Sequence, residues 1–588
     1  MTQTTQPVVE DDAITEALRQ HTLPAAFQVT VASKGDAPAL RDHGSDTVLT
    51  WAEYGARVRS IAAGLAALGI GKGDTVALMM GNRHEFHLLD VGAMHLGAVP
   101  FSIYQTNPAP QILPMIEIAQ PRVLIAEAQY LPVIEQVLAQ TDSIEKVVLV
   151  DGEGQGDTIT LADLEAGGSA DFDFDAAWKA IEAEDFACIV FSSGTTGRPK
   201  GVDWSHGALM ENLRGQHTIA PVSPDGRVVS ALPMAHLLER FVGHWSQIAF
   251  GYDLTALGDA KQLGAALGAS RPTRFYGVPR ILEKLAIGAK GIAGSSPELQ
   301  AAFDENLELV RKDAHAVEND PARIDAIRPI RQKLGVDDAE WRLSAGAPAR
   351  VDILEAWAAL GLPVAETWGM SESAMSLMNP PTAVKFGTVG KPLQSFQAKR
   401  AEDGEMLLKG PIFSGYHGQP ELTDEAVVDG WLHTGDVIEI DDDGYIKVVD
   451  RKKELLINSA GKNIAPVMVE NRVKQQSPII GQVVALCDQQ PYLTALVVVD
   501  EEELVAFASK NGLEGSPEEL RTAPEVAAEV ERAVAAANET LARVEQIKKH
   551  TLLDEFWVPG TNEVTNTMKL RRKNIAKSHA SFIEALYA

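Results

Sequence analysis

The chain has 588 residues, of which 45% are hydrophobic. Because a chain of this length is too long to fold around a single hydrophobic core, we expect at least two domains. Lysine and arginine number 52 against 81 acidic residues, and the net charge of −29 argues against a nucleic acid as the main partner. The two cysteines, Cys188 and Cys487, lie far apart and exclude a disulfide framework or a cysteine metal cluster, which fits a reducing cytoplasm.

Neither a secretory signal nor a membrane span is expected. The first 16 residues are polar and acidic and lack the basic start and apolar core of a signal. The most apolar windows, 61–70 and 88–100, are interrupted by Gly or His and are shorter than the roughly 20 residues that a span requires. We therefore expect a cytoplasmic protein. Peripheral contact with the inner face of the membrane stays open, although no strongly basic amphipathic helix is evident.

Helix and strand signals alternate from residue 45 to residue 105. Thr50 and Glu53 have the spacing of a capping box, a helical pattern follows to Leu68, and Thr75 to Met80 has the character of a strand. Apolar runs beside helical patterns recur at 147–150, 188–191, 228–232 and 273–276. Alternation of this kind indicates one large α/β domain that fills most of the chain.

The segment from Phe191 to Gly201 has a composition suited to folding around a polyphosphate. It follows a strand-like run, 185–191, and precedes a capped helical pattern, 205–214, so we expect a loop between a buried strand and a helix. Its glycines let backbone N–H groups approach an anion, four hydroxyls add donors, and Lys200 adds a cation. The spacing differs from a Walker loop. A Ser/Thr/Gly surface linker is the alternative.

The later part of the chain changes character twice. Residues 285–334 are charged and helical without strand signals, which predicts a helical insertion with a loop at 291–296. From Asp436 short strands and turns follow, with 441–444 as a tight turn, and a domain boundary is expected near Arg451. Strands are then predicted at 483–487 and 494–499, and a helix at 527–550.

Six further motifs follow one another along the chain: Leu232–His236, Ser344–Pro348, Glu366–Glu372, Trp431–Asp436, Asp450–Glu454 and Thr565–Lys569. Together with the Gly-rich segment they resemble the acyl-adenylate-forming (AMP-binding) superfamily, which contains acyl-CoA synthetases, peptide adenylation domains and luciferases. The resemblance covers residues of about 45 to 575. It implies a large multi-layer α/β domain of mixed sheets and helices, 1–450, and a small mobile α+β domain, 451–588, that carries a catalytic lysine.

The resemblance also implies roles for individual residues. The ATP phosphates would lie against Ser192, Ser193, Gly194, Thr195, Thr196, Gly197 and Lys200. The rest of the nucleotide would contact Gly346, Ala347, Pro348, Glu366, Thr367, Trp368, Gly369, Met370, Asp436 and Arg451. Mg²⁺ would be held by Glu372 and Ser192, because hard cations prefer oxygen ligands. The family more often has Tyr or Phe where Trp368 stands, and Thr where Ser371 stands.

Catalysis is expected to involve Lys569, Glu372, Ser371, His236 and Arg451. Lys569 would bridge the substrate carboxylate and the α-phosphate, and Lys453 matches the position about which the small domain rotates. Gly461 and Lys462 would then face the pantetheine arm of coenzyme A. Three of these residues also have a purely structural interpretation: Glu372 as a surface glutamate, Asp436 as a turn aspartate and His236 as a core histidine.

The choice of acid rests on a narrower resemblance. Residues 236–240 and 271–280 and the helical insertion resemble long-chain fatty acyl-CoA synthetases, which implies a fatty acid:CoA ligase that uses ATP, Mg²⁺ and coenzyme A. Phe241 to Leu254, with Trp245 and Phe250, could line an apolar tunnel or could be plain core. The alternatives are a ligase for another acid, a carrier-protein acceptor, or a non-catalytic sensor. The sequence leaves the oligomeric state open.

Overall fold

The computed structural model describes residues 12–154, 156, 158–192, 198–459, 463–487, 490–565 and 568–587. The chain divides into two compact units. The first comprises Met1–Lys399, Leu407–His433 and Asp441–Ile446, and the second comprises Arg400–Met406, Thr434–Ile440 and Lys447–Ala588. Both combine helices with strands, so the predicted α/β class with a large and a small part is confirmed.

The helices of the first unit are α1 (Asp12–Arg19), α2 (Leu23–Lys34), α3 (Trp51–Ala67), α4 (His84–Met94), α5 (Ala109–Ala119), α6 (Leu131–Leu138), α7 (Leu161–Ala166), α8 (Phe174–Lys179), α9 (His206–Ile219), α10 (Ser246–Phe250), α11 (Leu263–Ser270), α12 (Pro279–Ala293), α13 (Pro297–Val310), α14 (Pro321–Leu334), α15 (Val351–Ala359) and α16 (Pro420–Ala426). Those of the second unit are α17 (Pro466–Lys474), α18 (Glu501–Asn511), α19 (Pro517–Leu520), α20 (Pro524–Thr540), α21 (Arg572–Ser578) and α22 (Ala580–Tyr587). Short 3₁₀ turns span Ala128–Tyr130 and Ala260–Gln262, and a π-helix spans Glu239–Trp245.

The strands up to residue 230 are β1 (Pro38–Asp42), β2 (Val48–Thr50), β3 (Thr75–Met79), β4 (Val99–Ser102), β5 (Val123–Ala126), β6 (Lys146–Leu149), β7 (Thr158–Thr160), β8 (Phe186–Ser192), β9 (Lys200–Ser205) and β10 (Arg227–Ser230). Those up to residue 416 are β11 (Asp253–Ala256), β12 (Arg274–Gly277), β13 (Trp341–Ser344), β14 (Ala365–Met370), β15 (Ala374–Met378), β16 (Lys391–Pro392), β17 (Gln397–Arg400), β18 (Glu405–Lys409) and β19 (Gly415–Tyr416). The remainder are β20 (Val427–Val428), β21 (Trp431–Ile440), β22 (Ile446–Arg451), β23 (Leu456–Ile457), β24 (Asn463–Ile464), β25 (Ile480–Leu486), β26 (Leu493–Val499) and β27 (Ile547–Leu552).

Two large sheets are built mainly from parallel strands. In the described part of the chain, the nine-stranded sheet has the order β16-β15-β14-β13-β12-β10-β11-β1-β2, with β2, β15 and β16 antiparallel to their neighbours. The eight-stranded sheet has the order β19-β9-β8-β4-β3-β5-β6-β7, with β9 and β19 antiparallel. Parallel strands present their carboxyl ends at one edge, where α/β folds usually place ligand sites.

Three smaller sheets complete the described strands. One has the order β17-β18-β21-β20 with β22 paired to β21, and β23 pairs with β24. In the second unit β25 and β26 are antiparallel, while β26 and β27 are parallel. Both faces of β26 are covered, since every residue of that strand is buried, and the strand anchors the core of the second unit.

Local signals explain several element boundaries. Thr50 Oγ1 accepts the Glu53 N–H at 3.2 Å, and the Glu53 carboxylate accepts the Thr50 N–H at 2.8 Å, so the predicted capping box starts α3. The predicted turn at 441–444 lies between β21 and β22. Cys188 lies in the buried strand β8, as expected, and both cysteines are buried free thiols.

Two predicted boundaries are wrong. The loop at 291–296 is shorter, because α12 continues through Ala293 and only 294–296 separate it from α13. The helix predicted at 527–550 ends at Thr540, and residues 547–552 form β27 instead. Leu496 and Thr551 are in register across the parallel β26 and β27, so tertiary pairing overrides the local pattern.

The cores are largely apolar. In the first unit Trp357 is fully buried, stacks on Phe275 at 5.1 Å between ring centroids, and donates its indole N–H to the Leu282 carbonyl. Such an aromatic pair stabilises by about 0.5–1.5 kcal/mol beyond its buried area. Among the described residues, no helix is both long and apolar enough to cross a bilayer.

Candidate active site

The predicted phosphate segment lies in a β-hairpin. Strand β8 pairs antiparallel with β9, and Ser192 is opposite Lys200 in register. The expectation that the loop leads directly into a helix is wrong, because β9 intervenes before α9. Alternate side chains of β9 are apolar, and Val202 and Trp204 are fully buried, which explains a strand there. Ser193, Gly194, Thr195, Thr196 and Gly197 lie outside the described residues.

A third strand, β19, pairs with this hairpin, and its tyrosine binds the carboxylate of Glu372. Tyr416, in β19, is in register with Val202 of β9. Its phenol donates a hydrogen bond of 2.7 Å to Oε1 of Glu372, and the Lys200 ammonium lies 4.3 Å from the centre of its ring. Burial, with the Glu372 charge beside it, raises the pKa of Tyr416, so the phenol keeps its proton and remains a donor.

The turn between β14 and β15 carries Glu372. Trp204 donates its indole N–H to the Ser371 carbonyl at 2.9 Å, and the Met370 N–H donates to Ser373 Oγ at 3.3 Å. Glu372 is only 7% exposed, which excludes a plain surface glutamate. Its carboxylate is therefore held in place by its turn and by Tyr416.

Gly369 is required by the pairing of this hairpin. The register between β14 and β15 shifts between Trp368 and Gly369, and a Cβ at Gly369 would lie 1.7 Å from the Ala374 carbonyl oxygen. Trp368 itself is 8% exposed. The irregular pairing is typical of a β-bulge, which redirects a side chain next to a site.

Glu366 and Thr367, at the start of β14, are engaged by the protein. The Glu366 carboxylate accepts the N–H groups of Ala349 at 3.2 Å and Gly387 at 3.1 Å. Burial raises its pKa to about 7. The Thr367 hydroxyl donates to the Leu377 carbonyl. These bonds fix the backbone of β14, along which the predicted nucleotide contacts lie.

Residues Gly346, Ala347 and Pro348 are exposed and follow the carboxyl end of β13, where Gly346 has φ of +88°. Ser344 is in register with Glu366 of the parallel strand β14. His236 follows β10 in the same sheet, is half-buried, and donates its backbone N–H to the Pro233 carbonyl at 2.8 Å. The predicted contacts at His236, 346–348 and 366–370 therefore lie along one edge of the nine-stranded sheet, whereas the predicted phosphate contacts Ser192 and Lys200 lie in the eight-stranded sheet.

Below this edge, Glu239 begins the π-helix and is fully buried. Its carboxylate accepts bonds from Ser230 Oγ at 2.6 Å, the Leu232 N–H at 2.9 Å and the Tyr276 hydroxyl. Burial raises its pKa to about 7. Since both oxygens are engaged by the protein, Glu239 fixes the segment that carries His236.

The second unit holds the other predicted nucleotide contacts. Asp436 is 3% exposed, and Arg451 Nε lies 3.0 Å from its Oδ1. The Gly435 N–H donates to Glu405 at 2.9 Å, and Lys452 pairs with the same glutamate at 3.1 Å. Lys453 is exposed in the turn after β22.

Lys569 is exposed on a short hairpin of the second unit. Its N–H donates to Thr565 Oγ1 at 3.0 Å, and its carbonyl accepts the Thr565 N–H at 2.9 Å. Met568, beside it, has φ of 61°, a strained value outside glycine. Gly461 and Lys462 lie outside the described residues.

Sequence reasoning missed Tyr416 and the pair formed by Asp203 and His417. His417 Nδ1 lies 2.9 Å from Asp203 Oδ1, and this contact raises the pKa of His417. All three lie on or next to β9 and β19. A strand of two residues is too short to show a periodic pattern of apolar residues. The sequence therefore offered no signal for Tyr416 beyond the dipeptide Gly415–Tyr416 itself.

The donors fit Mg²⁺, which takes oxygen ligands, since Glu372 offers a buried carboxylate and Ser192 a hydroxyl. A different cluster, Asp42, His84 and Glu85, has donor atoms within 4.8 Å of one another. There His84 Nδ1 hydrogen-bonds Asp42 at 2.5 Å and Arg83 pairs with Glu85 at 2.7 Å. Those groups satisfy each other and form an ion-pair cluster.

Two surface cavities lie away from the predicted phosphate and nucleotide contacts. One of about 330 Å³ is bordered by Arg227, Thr273 and Glu340, at the amino ends of β10, β12 and β13. Another of about 270 Å³ is bordered by Asp42 and Glu127. Neither lining includes a predicted site residue.

Known protein families match almost the whole chain. The AMP-binding enzyme family matches residues 27–417, and the AMP-binding enzyme C-terminal domain matches residues 453–588. The chain therefore belongs to the AMP-binding enzyme family, and the resemblance drawn from its motifs is confirmed.

Similar proteins carry related names. The protein fadD11 of Mycobacterium tuberculosis (strain CDC 1551 / Oshkosh), named as a fatty-acid–CoA ligase, is 41% identical over 449 residues, 73% of this chain and 79% of its own. The long-chain-fatty-acid–CoA ligase FadD15 of Mycobacterium bovis is 32% identical over 570 residues, 92% of each chain. The long-chain-fatty-acid–CoA ligase ACSBG2 of Xenopus laevis is 27% identical over 628 residues, 98% of this chain and 85% of its own.

Solved structures share the fold. ATP-bound MatB from Rhodopseudomonas palustris has a TM-score of 0.72 at 22% identity, over 96% of this chain and 99% of that chain. The A-PCP didomain of carboxylic acid reductase from Segniliparus rugosus, in complex with AMP, has a TM-score of 0.76 at 18% identity, over 99% of this chain and 84% of that chain. At these identities the likeness shows the fold alone.

Proposed function

We propose that the protein is a long-chain fatty acid:CoA ligase. It converts ATP, a fatty acid and coenzyme A into acyl-CoA, AMP and pyrophosphate through an acyl-adenylate. Family membership supports the adenylate, and the names of fadD11 and FadD15 support the acid and the thiol. The observation that carries the proposal is the contact chain from Lys200 through Tyr416 to Glu372, which puts a cation and a buried carboxylate beside the phosphate hairpin.

In the first step a carboxylate oxygen bonds to the α-phosphorus of ATP, and the bond from that phosphorus to the β-phosphate oxygen breaks. Both reactants are anions, so the site must supply positive charge where the transition state forms. Lys200 and the segment from Ser192 to Gly197 hold the leaving pyrophosphate, and Lys569 bridges the carboxylate and the α-phosphate. Mg²⁺, when bound by Glu372 and Ser192, neutralises phosphate charge.

The remaining nucleotide contacts follow the sheet edge. Gly346, Ala347 and Pro348 and the strand from Glu366 to Met370 border the adenine, on which Trp368 stacks. His236 orients the acid, and Ser371 holds the turn that presents Glu372. In the second unit Asp436 accepts the ribose hydroxyls, a task that its two oxygens permit even while Arg451 occupies one of them.

In the second step the thiol sulfur of coenzyme A bonds to the acyl carbon, the bond from that carbon to the AMP oxygen breaks, and the thiol proton passes to solvent. We assign residues 1–450 to a large domain, with a helical insertion at about 285–334, and residues 451–588 to a lid. Rotation about Lys453 withdraws Lys569 and presents Gly461 and Lys462 to the pantetheine arm. The adenylation and thioester steps thus use different faces of the lid.

A glutamate substitution tests this account. Glu372→Ala removes the carboxylate that Tyr416 holds, so kcat/KM for Mg-ATP should fall by about 100-fold, while the KM for the fatty acid should change little. Initial rates with Mg-ATP and fatty acid varied separately measure both quantities. The matched control is Glu308→Ala, whose side chain is 71% exposed on α13. Unchanged ATP kinetics in Glu372→Ala would contradict the metal role.

A further inference from the structure

A buried ionic cluster in the second unit joins three segments. The Arg572 guanidinium donates to both oxygens of Glu470, at 2.6 and 2.8 Å, and lies 3.4 Å from Glu454. Glu470 is 5% exposed, and the Arg572 side chain is 16% exposed. A bidentate guanidinium–carboxylate pair is strong and fixes the relative geometry of its two side chains.

The partners of Arg572 are themselves fixed. Glu470 lies in α17 and also accepts the Ala485 N–H of β25 at 2.8 Å. Asp450, 4% exposed, accepts the N–H groups of Arg451 at 2.7 Å and Val467 at 3.3 Å, which ties the end of β22 to the first turn of α17. The Arg572 charge therefore faces the carboxylates of α17 and of the segment 450–454.

Arg572 stands directly after the hairpin that carries Lys569. That hairpin is closed by the bridge between Val564 and Leu570 and by the bond from the Arg571 N–H to the Glu563 carbonyl at 2.7 Å. Its chain then enters α21 at Arg572. The guanidinium lies three residues after Lys569, whose own side chain is exposed, and it adds an ionic attachment to the apolar contacts that Met568 and Leu570 make with the core of the unit.

We propose that Arg572 is a positioning residue that fixes the lysine-bearing hairpin to α17 and to segment 450–454, so that Lys569 and the hinge move as one rigid piece. This inference rests on the proposed function, because it assigns Arg572 to the adenylation step. Arg572 touches no reacting atom; it holds the backbone from which Lys569 reaches the substrate. A displacement of about 1 Å at such a group costs about 100-fold in rate.

The test compares the two half-reactions in the full-length protein. Arg572→Met keeps the length of the side chain but removes its charge and donors. ATP–pyrophosphate exchange with hexadecanoate measures adenylation, and synthetic hexadecanoyl-AMP with coenzyme A measures thioester formation. Arg572→Met should lower exchange by about 10- to 100-fold and leave thioester formation within about threefold of the wild type. The control is Arg532→Met, which breaks the more exposed pair with Glu529 in the same unit.

Equal loss of both half-reactions in Arg572→Met, or no loss in either, would overturn the inference, as would the same loss in Arg532→Met. If Arg572→Met does not fold, Arg572→Lys and Glu470→Gln replace it in the test, because each keeps part of the cluster. Each should lower the adenylation rate, by a smaller factor, and leave the rate of thioester formation unchanged. A wild type that makes no acyl-adenylate would overturn the proposed function and this inference together.

A second readout is independent of activity. Amide hydrogen exchange at Lys569 and Arg571 should be at least about 10-fold faster in Arg572→Met than in the wild type, while α20 stays unchanged. Unchanged exchange at both amides would overturn the anchoring role even where the rates fall.

Discussion

The phenol of Tyr416, in β19, donates at 2.7 Å to the carboxylate of Glu372, which lies 44 residues away in the turn between β14 and β15. The bond is charge-assisted and buried, and the Lys200 ammonium covers the ring of the donor. A tyrosine that no sequence pattern singled out therefore connects the two ends of the proposed phosphate and metal site.

Tyr416→Phe tests this connection. The phenylalanine ring keeps its place under Lys200 but cannot orient the Glu372 carboxylate, and a hydrogen bond to a charged group contributes about 1.5–3 kcal/mol. We expect kcat/KM for Mg-ATP to fall by about 10-fold and the Mg²⁺ concentration for half-maximal rate to rise. Tyr445→Phe is the control, since the Tyr445 phenol donates to the Ala383 carbonyl instead of to a carboxylate, and its ring also lies near lysines. Equal effects in both variants would contradict a specific role.

Gly369→Ala tests the β-hairpin that presents Glu372. The added methyl would meet the Ala374 carbonyl oxygen at 1.7 Å, so the hairpin must shift. We expect a loss of about 1–3 kcal/mol in unfolding free energy together with most of the ATP-dependent activity. Gly71→Ala, where a Cβ meets nothing within 4 Å, should leave both unchanged in thermal unfolding and rate assays.

Glu239→Gln tests a pH dependence of stability. Burial raises the Glu239 pKa from its ordinary 4.5 to about 7, so between these values the folded state binds a proton that the unfolded state has released. The contribution of Glu239 is therefore fully present below pH 4.5 and is lost as pH rises through 7, by roughly 3 kcal/mol. Glutamine can accept the Leu232 N–H and donate to Ser230 or Tyr276 at any pH.

The variant should consequently gain stability relative to the wild type as pH rises from 4.5 to 7.5, when unfolding temperatures are compared at each pH. Glu308→Gln, on an exposed side chain, should show no such trend. A constant difference between Glu239→Gln and the wild type across this range would show that Glu239 is charged in the folded protein throughout.

Lys569→Ala separates the two half-reactions. Loss of one preorganised donor costs about 2.7–4 kcal/mol in a barrier, so adenylation should fall by about 100- to 1,000-fold. Thioester formation from supplied acyl-adenylate should remain near the wild-type rate, and Lys577→Ala, an exposed lysine of α21, should leave both steps unchanged. Equal loss of both steps in Lys569→Ala would contradict the rotation of the lid.

The parts of the fold that were predictable are those set by neighbouring residues. The Thr50 capping box, the buried run that forms β8 and the turn at 441–444 each depend on a few consecutive side chains. Strands β9 and β27 escaped because they exist through pairing with distant strands, and the charged residues of β27 resemble a helical pattern. Residue order alone cannot report such pairing.

Sequence motifs pointed to one part of the proposed site. Glu372, Asp436 and Lys569 were predicted as site residues from the order of the family motifs, and Glu372 and Asp436 are buried in the structure. Tyr416 and Arg572 were missed, because their proposed roles depend on contacts with distant residues. Tyr416 contacts Glu372, 44 residues away, and Arg572 contacts Glu470, 102 residues away. Only the folded chain brings those groups together.

The most direct measurement is mass spectrometry of the products formed by the purified protein with Mg-ATP and a panel of fatty and aromatic acids, with and without coenzyme A. The account predicts long-chain acyl-CoA and AMP only when coenzyme A is present, and acyl-adenylate in its absence. Acyl-adenylate that accumulates and ignores coenzyme A, or a preference for aromatic acids, would contradict a long-chain fatty acid:CoA ligase.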